Sequence, residues 1–181
     1  MGEGATPGRN PAAVLIPIYD GPDGPTLILF RRTQGGPHSG QVAFPGGRPE
    51  PGDSGLEETA LREAEEELAI PREAVRVVGR LPVVETVVSN FAIHAFVGRL
   101  NVRPELIPQE SEVAVILEVP LRELMETPKE EWWELPAVES RGEARRRLVR
   151  FWAWGEDRIW GATQRMIELL VGKVRSGELR L

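Results

Sequence analysis

The 181-residue chain contains no cysteine. Disulfide staples and thiolate metal sites are therefore excluded, and the composition suits a reducing compartment, so a cytoplasmic protein is expected. Lysine is nearly absent: Lys129 and Lys173 are the only two, and arginine supplies the other cations. No long basic run occurs and the formal net charge is -6, so a nucleic acid would have to be held against an unfavourable field and is not expected as a partner. Long apolar runs are missing too. No stretch approaches the roughly 20 apolar residues of a membrane span, and the opening "MGEGATPGRNP" lacks an apolar core of signal-peptide length. A soluble protein with no membrane partner is expected.

With 41% hydrophobic residues the chain can bury one sizeable core, which favours a single domain over residues 12–181 behind a loose, Gly- and Pro-rich arm at 1–11. "AAVLIPIY" (12–19) and "PTLILFRR" (25–32) read as two strands joined by the turn chemistry of "DGPDG". "QVAF" reads as a brief strand and "PGGRPEPGDSG" as an extended loop, ending where Ser54 and Glu57 predict a capping box. A helix follows to about Ala69, where Pro71 blocks continuation. Strand-like runs then occur in "VRVVGRLPVVETVV", "FAIHAFVGRL", "EVAVILEV" and "RRRLVRFWAW", with a short helix at "PLRELME" and a closing helix at "IWGATQRMIELLVGKV". Strands around a few helices, without regular βαβ alternation, predict an α+β protein with a sandwich-like mixed sheet.

The chemistry concentrates in "TALREAEEELAI" (59–70). At helical spacing, Glu63, Glu66 and Glu67 share one face while Leu61, Ala64 and Leu68 lie on the other. Carboxylates near a helix C-terminus oppose the macrodipole by about 0.3–1 kcal/mol each, and like charges four apart add a few tenths. A divalent cation reverses that sign, because a hard ion such as Mg²⁺ prefers carboxylate oxygens. A solvated charged face is the competing explanation. Glu57 and Glu58, in the first turns, read as structural, with Glu58 expected to pair with Arg62. Gly46 and Gly47, just upstream, allow the backbone to approach a ligand closely or to offer it a carbonyl.

"REAEEELAI" (62–70) resembles the core of the Nudix signature, with Arg62, Glu63, Ala64, Glu66, Glu67 and Ile70 matching and Ala69 in place of the usual glycine. One extra residue upstream puts Gly47 and Asp53 in the glycine and acidic positions of that signature. "HSGQVAFPGG" (38–47), "TALREAEEE" (59–67), "FAIHAFVG" (91–98), "SEVAVILEVPL" (111–121) and "RIWGAT" (158–163) are similar to the coenzyme A pyrophosphatase branch of that family. In "LILFRRTQGG", Arg31 fits the motif of the branch, whereas Leu29 stands where threonine is expected and Gly36 where a second arginine is expected, a contact that Arg32 could supply.

The resemblance implies a Nudix-type α/β/α sandwich with a central mixed sheet, and cleavage of a nucleoside diphosphate linked to another group by metal-activated water. It implies Mg²⁺ or Mn²⁺ held by Glu63, Glu66 and Glu67, oriented by Arg62, with Gly46 or Gly47 offering a carbonyl. Glu112, opening the "SEVAV" run, is the candidate general base, against the alternative of a merely exposed residue. Arg31, Arg32, His38, Gln41, Phe44, Gly46 and Gly47 are candidate substrate contacts, His38 being equally readable as a loop hydrogen-bonding residue. His94 and Trp160 read as structural; Trp132 and Trp133 either stack on a base or cover the core. The first hypothesis is hydrolysis of coenzyme A or its derivatives to 3′,5′-ADP and 4′-phosphopantetheine. ADP-ribose or another dinucleotide is the second, and a non-catalytic nucleotide-binding module the third. Small enzymes of this kind often assemble as symmetric pairs, so a homodimer is also an expectation.

Overall fold

The computed structural model describes residues 8–35, 38–135 and 145–181, without the side chains of Leu135 and Arg145. Strands β1 (Asn10–Gly21) and β2 (Gly24–Arg32) form the expected hairpin, with Gly21 opposite Gly24 across Pro22 and Asp23. β1 pairs in parallel with β7 (Phe91–Leu100) along one edge. Its other edge takes β2 at one end and the two-residue β4 (Gly46–Gly47) at the other. β2 extends the sheet to β8 (Val113–Pro120) and also pairs with β3 (Val42–Ala43). Beyond β7 lie β5 (Val75–Arg80) and β6 (Val84–Glu85). One parallel pair among antiparallel ones makes the sheet mixed.

Both faces of this sheet are covered, which is why β1 reads as an unbroken apolar run instead of an alternating one. Ala13, Leu15, Ile28 and Phe30 pack with Ala60, Ala64 and Leu68 of helix α1 (Leu56–Leu68). On the opposite face, Val14, Ile16, Leu27 and Leu29 pack with helix α2 (Leu121–Leu124) and helix α3 (Gly161–Arg175) through Leu121, Leu124, Met166 and Leu170. Each such fully buried aliphatic side chain contributes roughly 1.5–3 kcal/mol of transfer free energy. The architecture is the α/β/α sandwich of the α+β class.

A second, three-stranded antiparallel sheet is formed by β9 (Lys129–Leu135), β10 (Arg145–Trp154) and β11 (Asp157–Trp160), with β10 central. Trp152 and Ile159 insert from it into the core beside α3. β9 escapes the sequence reading because "KEEWWEL" is dominated by charge; it is an edge strand, where charge is tolerated. Trp133 packs against Phe151 at 5.6 Å and edge-on to Trp160 at 5.4 Å, whereas Trp132 is 62% exposed. Trp133 and Trp160 are thus packing residues, and His94 is buried within β7.

Four boundaries depart from expectation. The described part of the presumed arm is anchored: Arg9 pairs with Glu85 at 3.2 Å, and Asn10 lies opposite Phe91 in the sheet. Residues 1–7 of that arm, and Gly36, lie outside the described residues. Gly46 and Gly47 are not loop but bridge to β1, a pairing that brings Gly46 so close to the Ala13 carbonyl that a Cβ would collide with it. Helix α1 begins one residue late for the Ser54 capping box, behind Gly55, with no side-chain cap. The closing helix starts at Gly161, because residues 157–160 are consumed by β11.

Candidate active site

Helix α1 lies on β1 through alanines, whose small side chains let it approach closely, and this brings its polar flank against the β4 bridge. Arg62, only 8% exposed, is the hub of that flank. Its Nε and Nη2 donate to the two oxygens of Asp53 at 3.0 and 3.2 Å. Its Nη1 donates to Glu63 Oε1 and Glu66 Oε2, both at 3.0 Å, and Nη2 also reaches the Arg48 carbonyl at 3.1 Å. These hydrogen bonds hold the Asp53 carboxyl well below the usual range. Asp53, the residue that the frame with one extra position puts in the acidic place, is thus bonded to Arg62. Arg62 therefore does not pair with Glu58; Asp53 draws it inward, and Glu58 and Glu65 both pair with Arg72 instead.

Glu67 is the buried member, 2% exposed. Its Oε2 accepts the Gly46 N–H at 3.0 Å, and its Oε1 lies 3.8 Å from Arg32 Nη1. Burial pushes its pKa up to about 8, against the pull of the Gly46 N–H, and the nearby Glu63 and Glu112 add to the rise. Burial also raises Glu63, with Arg62 opposing. Glu63 rests against Gly47, where any Cβ would collide with its carboxylate. The glycine at this position is thus demanded by close approach. Glu66 is the exposed member of the three.

The three helix carboxylates do not converge on a common point as expected. Glu63 and Glu66 turn to Arg62 while Glu67 turns to the Gly46 amide, and among the described residues no three His, Asp or Glu groups stand ready to hold an ion as placed. Arg62 compensates part of the charge of Glu63 and Glu66, whereas Glu67 is left to the Gly46 amide and the more distant Arg32.

Glu112, distant in sequence, does join the site: its Oε2 accepts from Arg32 Nη2 at 3.1 Å, so Arg32 stands between Glu67 and Glu112. Arg31 goes elsewhere. Its side chain pairs with Glu156 at 2.9 Å and Asp157 at 3.3 Å, at the turn between β10 and β11. Phe44, a candidate substrate contact, is a core residue at 3% exposure, as its apolar neighbours in the cluster with Val42 require. His38 is exposed in a left-handed conformation (φ 63°), and its carbonyl accepts the Gln41 N–H; the Gln41 carbonyl in turn accepts the Arg32 N–H at 2.9 Å. The Gln41 backbone is thereby tied to that of Arg32. Thr33 and Gln109, which tie the Glu112 turn to neighbouring segments, carry no sequence signal, since their roles exist only after β2 and β8 have paired.

Ala69 occupies the position at which helix α1 must end in a left-handed residue (φ 55°), its N–H bonding to the Glu65 carbonyl at 2.9 Å. The glycine usual at that point of the signature has a direct conformational reason.

Comparison with known proteins agrees with this geometry. The profile of the NUDIX domain matches residues 9–140. An uncharacterized Nudix hydrolase, NudL, from Yersinia enterocolitica is 42% identical over 164 residues, covering 90% of this chain and 80% of the relative. Its counterpart in Pectobacterium atrosepticum is 41% identical over 163 residues, covering 90% and 81%. A MutT/nudix family protein of Enterococcus faecalis shares the fold at 14% identity, with a TM-score of 0.58 over 97% of this chain and 66% of that one. So does the NUDIX domain of Shewanella oneidensis NrtR, solved with ADP ribose, at 16% identity and a TM-score of 0.53 over 65% of this chain and 76% of that one. With Arg62 gathering its carboxylates beside a glycine bridge, and with these relatives, the chain belongs to the Nudix hydrolase family.

Proposed function

We propose that the protein is a pyrophosphohydrolase dependent on Mg²⁺ or Mn²⁺ that cleaves the diphosphate of coenzyme A or its derivatives, giving 3′,5′-ADP and 4′-phosphopantetheine. The observation that carries this reading is the buried Glu67 carboxyl, crowded by Glu63 and Glu112, with its nearest cation 3.8 Å away. An acid buried on these terms is under-compensated, and hard oxygen donors on three neighbouring side chains fit a hard divalent cation. The family uses divalent metal ions generally.

Glu63, Glu66 and Glu67 would hold the ion, with a carbonyl from Gly46 or Gly47. When bound, the cation supplies charge neutralisation at phosphoryl oxygens and a water of lowered pKa. Arg62, fixed by Asp53, orients Glu63 and Glu66. Arg32 offers a planar guanidinium to phosphate oxygens, the geometry that favours arginine over lysine there. Glu112 accepts the proton of the attacking water as general base. His38 and Gln41, whose loop is bonded to the Arg32 backbone, contact the remainder of the substrate. Arg31 and Phe44 no longer serve as substrate contacts in this reading, since an ion pair and the core occupy them.

The choice of coenzyme A rests on the similarity of "HSGQVAFPGG" and "RIWGAT" to that branch. ADP-ribose or another dinucleotide is the second reading, favoured by Leu29 and Gly36 at the two motif positions that depart from the branch. A non-catalytic nucleotide-binding module comes third, because such a domain would be free to lose the helix carboxylates, and all three are present. Incubation of the purified protein with Mg²⁺ or Mn²⁺ and coenzyme A, ADP-ribose, NADH or dinucleoside polyphosphates, followed by product identification, separates the three. Formation of 4′-phosphopantetheine is expected. Turnover of ADP-ribose with coenzyme A untouched would replace the substrate, and nucleotide binding without any product would leave the binding module.

A further inference from the structure

The turn that presents Glu112 is fastened at both ends. At one end the Gln109 N–H donates to the carbonyl of Glu67 itself at 2.9 Å, and the N–H groups of Glu112 and Val113 close the turn onto the Gln109 carbonyl, both at 2.9 Å. At the other end the β2–β8 ladder continues past its last regular pair, Arg32 opposite Val113. There the Thr33 N–H donates to the Glu112 carbonyl at 3.0 Å, and the Thr33 hydroxyl donates to the Ser111 carbonyl at 2.9 Å. A bulge between Arg31 and Arg32 shifts the register at this end, so the ladder alone does not fix the turn.

We infer that Thr33 is a positioning residue for Glu112: its hydroxyl locks the 109–112 turn so that the Glu112 carboxylate stays on Arg32 and beside Glu67. Among the described residues, the other hydrogen bonds to this turn run between backbone groups or from Arg32 to the Glu112 carboxylate, so the Thr33 hydroxyl is where a side chain fastens the backbone of the turn. Placement matters more than strength here. A solvent-facing hydrogen bond contributes only about 0.5–1.5 kcal/mol to stability, but a displacement of about 1 Å at a reacting group can cost up to 100-fold in rate. Thr33 touches neither substrate nor reacting atoms and acts through Glu112.

This inference rests on the reading of Glu112 as the base, and a double-mutant cycle separates the two. Thr33→Val keeps the β-branched shape and removes the hydroxyl; Thr33→Ser restores it. With coenzyme A as substrate, Thr33→Val is expected to lower kcat about tenfold with KM within about twofold of wild type, and Thr33→Ser to recover most of the loss. In the Glu112→Gln background, Thr33→Val should cost nothing further, because the residue it positions is already disabled. Thr33→Ala, tested alongside, guards against a packing fault specific to valine. The positioning role of Thr33 is overturned if Glu112→Gln is impaired while Thr33→Val and Thr33→Ala turn over like wild type, or if the losses of those two variants add fully to that of Glu112→Gln. If Glu112→Gln is itself fully active, the assignment of the base falls first, and the positioning role with it.

Discussion

A carboxyl buried as deeply as that of Glu67 changes the pH response of the whole protein. Its pKa rises from the ordinary 4.5 to about 8, so the folded chain keeps a proton that the unfolded chain releases. The stability carried by that proton is fully present below about pH 4.5 and is lost as pH climbs through 8, a change on the order of 3–5 kcal/mol at most. In chelator, the melting temperature should therefore fall between pH 5 and pH 8.5, and Glu67→Gln should flatten that slope while removing several orders of magnitude of activity. A wild-type profile as flat as that of the variant would show that Glu67 is not a suppressed acid. Asp53 has the opposite sign: lowered by Arg62, it contributes stability above its unfolded value of 3.8 that disappears only in stronger acid. Gly47→Ala tests the close approach directly. The added Cβ would displace the Glu63 carboxylate, so activity should drop at least tenfold while the melting temperature moves little, since the clash can be relieved by rotating a half-buried side chain. Unchanged activity would mean that Glu63 does not need its present position.

Helix α1 shows which element features the sequence discloses and which it conceals. Its apolar stripe and its end before Pro71 were legible, because period and proline are local properties. The partner of Arg62 was not legible: helix spacing pointed to Glu58, and the displaced signature frame marked Asp53 as an acidic position without joining it to Arg62. The direction in which Glu63 and Glu66 turn was not legible, because it depends on where the loop bearing Asp53 folds back. Ala69 offers a quantitative test at this scale. A left-handed alanine costs roughly 1–2 kcal/mol, part of which glycine returns through its greater freedom in the unfolded chain. Ala69→Gly should therefore stabilise the protein by about 0.5–1 kcal/mol, seen as a rise of a few degrees in melting temperature with kcat unchanged. A destabilised variant would place the strain of this cap elsewhere.

In the molecule as a whole, the order of strands and helices disclosed an α+β mixed sheet, and the α/β/α layering came from the family resemblance; the structure gives its physical basis, since the buried residues of β1 and β2 on both faces of the sheet must be covered twice. Of the second sheet only β10 was legible, as the run "RRRLVRFWAW": β9 hides its tryptophans among glutamates, and β11 borrows residues that continue the helical pattern of α3. That sheet reaches back to the first sheet through Arg31 of β2, which pairs with Glu156 and Asp157. Among the described residues, no helix is long and apolar enough to cross a membrane. The layers together put one acidic flank, one glycine bridge and one distant turn against each other, and the chemistry proposed here depends on that flank accepting a divalent cation. The most direct measurement is a calorimetric titration of Mn²⁺ into the metal-free protein at pH 8, run in parallel on Glu67→Gln. Binding by the wild type that weakens at least tenfold in the variant is the expected result; no binding by either, or equal binding by both, would contradict the assignment of the metal site.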